Sequence, residues 1–246
     1  MNRIDALTVV GPDLFRDAPS VDETVDASAE LGTDGLVVAP GRPLDYHLPP
    51  ANDMLASACR DRPNVARLAR VDPNQGGAAV DEIARCVEEL GCKGVFLQPG
   101  EESFAARRAV DVVRAAGTFG VPVVITAGLY AQSEPLQLAE LAAAAPETVL
   151  IMSTGGQINI SGLSMADAWT ALTRHQNLHV LTNGEYRQDF IERLAGELDP
   201  TRVLFATYAP VFDRGFETAR ITNARLEPNV RRAVESGNAQ RLFGVG

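Results

Sequence analysis

Residues 80–99, VDEIARCVEELGCKGVFLQP, contain one repeating unit of the fold. Val80, Ile83, Val87 and Leu90 recur at intervals of 3, 4 and 3 residues, which stacks them along one face of a helix. Gly91 closes that helix, since glycine takes up the left-handed turn at a helix end without a steric penalty. Lys93 then leads into Gly94–Gln98, a short apolar run without alternation. Such a run suits a parallel strand covered on both faces.

The same punctuation extends both ways. Strands are expected at 4–10, 35–39, 65–71, 94–98, 122–127, 148–153, 178–182 and 203–206, with amphipathic stretches between them. Phe190, Ile191, Leu194 and Leu198 give another helical face, and Gly120, Pro146 and Pro200 close further units. Eight strand–helix pairs in 246 residues predict an α/β protein, a (β/α)8 TIM barrel, as a single domain over 1–246. A doubly wound open sheet is the alternative. It would show a G-x-G-x-x-G turn after its first strand, where this chain has Val10-Gly11-Pro12. A G-x-x-x-x-G-K-S/T phosphate loop is also absent from the sequence.

Composition excludes some roles. The net charge is −10 with no basic stripe, so neither nucleic acid nor an anionic membrane is expected as a partner. No run of 18 apolar residues is present, and MNRIDALTVV lacks the apolar centre of a signal peptide, so the expected location is cytoplasmic. Cys59, Cys86 and Cys92 have no C-x-x-C spacing and read as packing residues, Cys86 on the helical face of Ile83 and Val87.

In a barrel of this kind the chemistry sits where the strands end. A catalytic zinc needs about three protein donors. The chain has three histidines: His47 alone after strand two, and His175 and His179 around the start of strand seven, at the wrong end. Lys93, the sole lysine, also falls at that end, which disfavours Schiff-base chemistry. A serine–histidine pair at Ser153 would have only His47 to draw on.

Several stretches, in order, resemble the amidohydrolase-related metal-dependent hydrolases and decarboxylases of the aminocarboxymuconate-semialdehyde decarboxylase type. Asn52-Asp53 followed by a helix and ARVDPNQ is similar to that family's approach to strand three. GCKGVFLQP resembles its G-x-K-G-V-K-L-H-P, and GVPVVITAG its L-P-V-x-I-H-T-G. VLIMSTGG resembles its A-H-x-G-G, RVLFATYAP its R-V-L-F-G-S-D-x-P, and GNAQRLFGV its N-A-x-R-L-F close. The resemblance covers nearly the whole chain and implies the barrel fold and a divalent metal at its mouth.

The departures fall on the chemistry that the resemblance implies. The opening I-D-x-H-x-H supplies two ligands in the family, and Leu7 and Val9 stand there. Gln98 replaces the strand-four histidine and Phe96 the lysine; Thr126 replaces the strand-five histidine and Ser153 the strand-six one. Tyr208 takes the place of the aspartate that is ligand and general base. Aliphatic side chains offer a metal no lone pair, neutral hydroxyls bind zinc poorly, and a phenol with an ordinary pKa near 10 is a weak base. No metal and no other cofactor is therefore expected.

Other residues invite two readings. Asp72 in VDP reads first as a turn cap and second as a pocket carboxylate. Asp213, beside Arg214, reads as a helix-start contact or a ligand group. Arg42, in the irregular GRPLDYHLPP that could fold over the mouth, reads as a surface residue or as a clamp on a carboxylate. Tyr208, Gln98, Asn183, Ser153 and Thr126 read as a neutral hydrogen-bonding pocket, or with Leu7 and Val9 as the filling of a closed mouth. The expected function is a pseudoenzyme on the amidohydrolase scaffold: a homo- or hetero-oligomeric partner of an active homologue, or a binder of a small molecule. The alternative is a metal-independent hydrolase or lyase acting on a small carboxylate-bearing substrate. It would use Tyr208, Asp72 or Asp213 as acid or base and Arg42 as anchor. A conventional metal hydrolase is the remaining reading.

Overall fold

The computed structural model describes residues 3–156, 162–185 and 187–245. Met1 and Asn2, part of the opening segment read above, lie outside the described residues. Eight strands form one sheet in sequential order: β1 (Arg3–Val10), β2 (Thr33–Pro40), β3 (Val65–Arg70), β4 (Gly94–Leu97), β5 (Val123–Ile125), β6 (Leu150–Met152), β7 (Leu178–Leu181) and β8 (Val203–Leu204). Every neighbouring pair from β1·β2 to β7·β8 is parallel. The residues around and beyond β8 join it to β1: Ala6 N donates to Phe205 O at 2.9 Å, Tyr208 N to Leu7 O at 2.7 Å and Val9 N to Ala209 O at 2.8 Å. The (β/α)8 barrel expected from the sequence is the fold observed.

The helices are α1 (Val21–Ala29), α2 (Leu48–Ala58), α3 (Gly77–Glu88), α4 (Pro99–Glu102), α5 (Val110–Thr118), α6 (Pro135–Ala144), α7 (Gly162–Arg174), α8 (Gln188–Glu197), α9 (Arg214–Asn223), α10 (Pro228–Arg232) and α11 (Asn238–Phe243). Local chemistry sets their starts. Ser20 and Glu23 form a reciprocal capping box on α1, and Asp213 accepts from Phe216 N at 2.7 Å to open α9. Among the described residues, no helix is long and apolar enough to cross a membrane.

Two apolar layers hold the barrel together. The layer between sheet and helices contains Ile83, Val95, Val113, Leu172 and Leu194. The barrel interior contains Leu7, Val9, Val37, Leu68, Phe96, Val124, Ile151, Leu204 and Tyr208. In β3 the two layers alternate: Ala66 and Leu68 belong to the interior, whereas Ala69 packs outward against Cys86 and Cys92. In β1 the pairing register with β2 shifts between Asp5 and Thr8, and the two consecutive residues inside that interval, Ala6 and Leu7, both join the interior.

The cysteines and His179 are buried, whereas His47 is exposed. All three cysteines are buried and unpaired, and burial pushes the Cys59 thiol up to about 11. His179 lies within β7, where burial pushes its imidazole down to about 4. His47 is the residue before α2, and its side chain makes no capping hydrogen bond.

Candidate functional site

The C-terminal ends of the strands converge on Tyr208. It sits beyond β8 with φ 53°, in the left-handed region, where a side chain other than Asn, Asp or Gly is held at a cost of about 1–2 kcal/mol. Its backbone is fixed on both sides: Tyr208 N donates to Leu7 O, and Val211 N donates to Tyr208 O at 2.9 Å. This is a backbone that suits an aspartate, the residue the family resemblance leads one to expect here.

The Tyr208 ring turns into the barrel and fills it. It meets Phe96 edge-on at 6.2 Å between ring centroids and Phe212 at 6.2 Å. Gln98 Nε2 donates to its hydroxyl at 2.8 Å, and Thr126 Oγ1 stands 3.0 Å from the same oxygen. Gln98 Oε1 in turn accepts from Gly100 N at 3.2 Å, which starts α4. Burial pushes the phenol up to about 12, against the opposing pull of the Thr126 hydrogen bond. Tyr208 is 2% exposed, Thr126 3%, Gln98 7%, Val9 1%, and Leu7 and Ser153 0%. Ser153 Oγ accepts from Ala127 N at 3.1 Å, and Asn183 Oδ1 lies 3.4 Å from Thr154 N. Of the polar residues proposed to share a pocket, Tyr208, Gln98 and Thr126 touch one another, while Ser153 and Asn183 brace the neighbouring strand ends.

A buried ion cluster lies beside this plug. Arg70, at the end of β3, has no exposed surface. Its Nε donates to Glu102 Oε1 at 3.0 Å and its Nη1 to Pro40 O at 3.1 Å, and its Nη2 pairs with both Glu101 and Glu102. Arg16 bridges Glu101 to Asp13, whose Oδ2 it meets at 2.7 Å. Arg42 Nη1 stands 3.5 Å from Glu102 Oε1, and its guanidinium lies 4.5 Å from the centre of the Tyr46 ring. The reading of Arg42 as a surface residue is therefore corrected: it is 5% exposed, drawn inward by Glu102. Three guanidiniums face three carboxylates, as burial of charge demands. Even so, burial pushes Glu102 up to about 6.

Asp5 belongs to the same end of the structure. It accepts from Thr207 N at 2.8 Å, Thr207 Oγ1 at 2.5 Å and Leu7 N at 3.2 Å. Burial outweighs these bonds and pushes its carboxyl up to about 6. Asp72 accepts from Asn74 N at 2.9 Å, and Asp213 caps α9, so both serve as local caps.

Reading the sequence missed Arg70, Glu101, Glu102, Arg16 and Asp5. A signal for Arg70 was available: in VARLAR the inward alternation Ala66, Leu68 carries on to Arg70, a charge that must then find partners inside the barrel.

The divalent metal implied by the resemblance does not fit these residues. Leu7 and Val9 have no donor atoms, the hydroxyl and amide groups of Thr126, Gln98 and Tyr208 are engaged with one another, and the Asp5 carboxylate accepts three hydrogen bonds. Among the described residues, no three His, Cys, Asp or Glu come together as a metal site.

A cavity of 340 Å³ opens next to the plug, between the loops after β7 and β8. Phe212 and Phe216 supply its aromatic walls, Glu185, Asp213 and Glu217 its carboxyls, and Arg220 a cation that pairs with Glu217. Glu217 is held above the usual carboxylate range by burial.

The rim around the mouth is apolar in places. Phe15, Leu44, Tyr46, Tyr130, Leu136, Val211 and Phe216 are 39–86% exposed, and all lie in βα loops or in the first turn of the helix that follows. The barrel topology places those loops at the C-terminal end.

No curated protein matches this chain in sequence. Solved structures of the same fold do. A 2,6-dihydroxybenzoate decarboxylase from Rhizobium shares 18% identity over 99% of each chain, with a TM-score of 0.75. A 5-carboxyvanillate decarboxylase from Sphingomonas paucimobilis shares 15% identity over 100% of this chain and 99% of the other, with a TM-score of 0.77. A dihydroxybenzoic acid decarboxylase from a Polaromonas species, solved with bound manganese, shares 17% identity over 99% and 97%, with a TM-score of 0.74. At this identity the likeness is one of fold. The amidohydrolase family model matches residues 49–245, most of the length and four of the positions that hold the plug. This chain is thus a member of the amidohydrolase family in which Thr126, Ser153 and Tyr208 occupy a closed barrel mouth.

Proposed function

We propose that this protein is a non-catalytic member of its family, acting as the partner subunit of a histidine-bearing amidohydrolase homologue. The closed mouth carries this reading. Where the family resemblance calls for metal donors, a tyrosine buried to 2% and hydrogen-bonded to Gln98 and Thr126 fills the space. A scaffold that keeps its fold without its chemistry can serve through its surface. The exposed rim aromatics favour the C-terminal face for docking, because scattered single hydrophobics need no explanation but a concentration on one face does.

The test is affinity capture of the tagged chain under native conditions, with identification and metal analysis of what co-elutes. Co-elution of a metal-loaded, histidine-bearing barrel is expected, over an interface on the order of 1,200–2,000 Å². Tyr130→Ser with Phe216→Ser should abolish it. A monomer with no such companion, or capture unaffected by the double variant, would contradict the reading.

A second reading is binding of a small molecule in the 340 Å³ cavity. There Arg220 pairs with Glu217 at 3.4 Å and lies over the Phe216 ring, so the walls offer both signs of charge to a polar ligand. Metal-independent acid–base catalysis at Tyr208 is less favoured, since a phenol pushed up to about 12 is a poor base at neutral pH.

A further inference from the structure

At the other end of the barrel, the segments leading into β3 and β4 and the segment after α11 enclose a cavity of 210 Å³. Arg60, Arg62, Arg67 and Lys93 are among its lining residues, and no Asp or Glu is, among the described residues. In a chain of net charge −10, this is a local reversal of sign that the whole-chain composition conceals.

The cations are unequally engaged. Arg62 pairs with the exposed Asp22. Arg67 is anchored on the rigid strand β3, and its Nη2 donates to Gly91 O at 3.3 Å. Its Nε is buried without a hydrogen-bond partner. Gly91 adopts φ 67°, and a Cβ on it would stand 2.9 Å from Arg67 Nη2, so the turn that closes α3 also leaves room for the guanidinium. Arg60 and Lys93 are exposed and reach the cavity from two different segments. Carboxylates lie outside the wall: Asp22 on Arg62, Asp61 between Arg60 and Arg62 in the chain, and Asp53 and Glu89 in an adjoining cavity that shares Arg60 and Arg67.

We propose that this cavity is a binding site for a phosphate group, either inorganic phosphate or the terminal group of a small phosphomonoester. Guanidinium forks match the oxygens of a tetrahedral anion, and the ammonium adds a point charge. A doubly charged anion answers several cations lining one cavity better than a single carboxylate does. The volume, below the about 300–1,000 Å³ usual for larger organic ligands, fits the anion itself.

The test is calorimetric titration of the full-length protein with inorganic phosphate at low ionic strength. Saturable binding of one phosphate per chain is expected, weakening as salt is added. Arg67→Gln should weaken it about tenfold or more, as loss of a charge-assisted contact does. Lys93→Gln, at an exposed position that leaves folding intact, should weaken it by a smaller factor. Glycerol 3-phosphate binding as well as or better than phosphate would identify a phosphomonoester as the physiological source, and phosphate alone binding would identify the free anion. Absence of saturable binding, equal affinity in the wild type and Lys93→Gln, or succinate binding as tightly as phosphate would overturn the proposal.

Discussion

The two ends of this barrel treat their arginines in opposite ways. At the mouth, Arg16, Arg42 and Arg70 face Asp13, Glu101 and Glu102 and are largely withdrawn from water. At the base, Arg60, Arg62, Arg67 and Lys93 line a cavity whose wall, among the described residues, holds no acid. The first set meets carboxylates at its own end, although Arg42 Nε and Nη1 have no hydrogen-bond partner; of the second, Arg62 pairs with Asp22, while Arg60 and Lys93 leave positive charge toward solvent. A count of charges would not separate them. What separates them is whether the partner of each cation is already built into the fold.

That contrast can be broken by substitution. Arg70→Ala leaves the buried Glu102 with only Arg42, at 3.5 Å, and Glu101 with Arg16, and should cost about 3 kcal/mol in urea unfolding, the low end of the range for breaking a buried ion pair. Arg60→Ala at the base should change stability by no more than about 0.5 kcal/mol. Comparable losses from both would erase the distinction between the two ends.

Acid sharpens it next. The Asp5 and Glu102 carboxyls are pushed up to about 6 by burial, so the folded protein holds their protons more tightly than the unfolded chain does. The stability they contribute is complete below the ordinary carboxylate range and is lost as pH rises through about 6. His179, pushed down to about 4, acts in the other direction, and its contribution is lost as pH falls below the ordinary histidine range. The wild-type curve therefore mixes the three, and the difference between wild type and Asp5→Asn isolates one. That difference should change by about 2–3 kcal/mol between pH 4 and 7, read by denaturant unfolding. A constant difference across that range would mean that Asp5 titrates as an ordinary carboxylate. Tyr208→Phe removes the hydroxyl that Gln98 and Thr126 share and should cost about 1–2 kcal/mol with the fold retained.

Much of this molecule was legible in its sequence. All eight strands were placed, because parallel strands buried on both faces read as continuous apolar runs. The first two strands were drawn too short and those from β3 on too long: 35–39 was expected where Thr33–Pro40 forms, and 122–127 where Val123–Ile125 forms the ladder. Thr126 and Ala127 remain extended in sequence character but have turned toward the mouth contacts. Tyr208, Gln98 and Thr126 were singled out by their positions, and the structure adds that they bond to one another. The ion cluster was harder to see. Glu101 and Glu102 follow β4, and nothing local to them reveals that Arg70, about 30 residues earlier at the end of the neighbouring strand β3, is their partner. Arg42 was read as exposed for the same reason: its burial depends on Glu102, which is remote in sequence.

The claim that the mouth has no room or donors for a divalent cation is tested most directly by metal loading. Protein stripped with a chelator, incubated with zinc or manganese and exchanged into metal-free buffer should retain far less than one equivalent by elemental analysis, in both wild type and Tyr208→Phe. Retention of one equivalent per chain, lost on substitution of Thr126 or Tyr208, would contradict it.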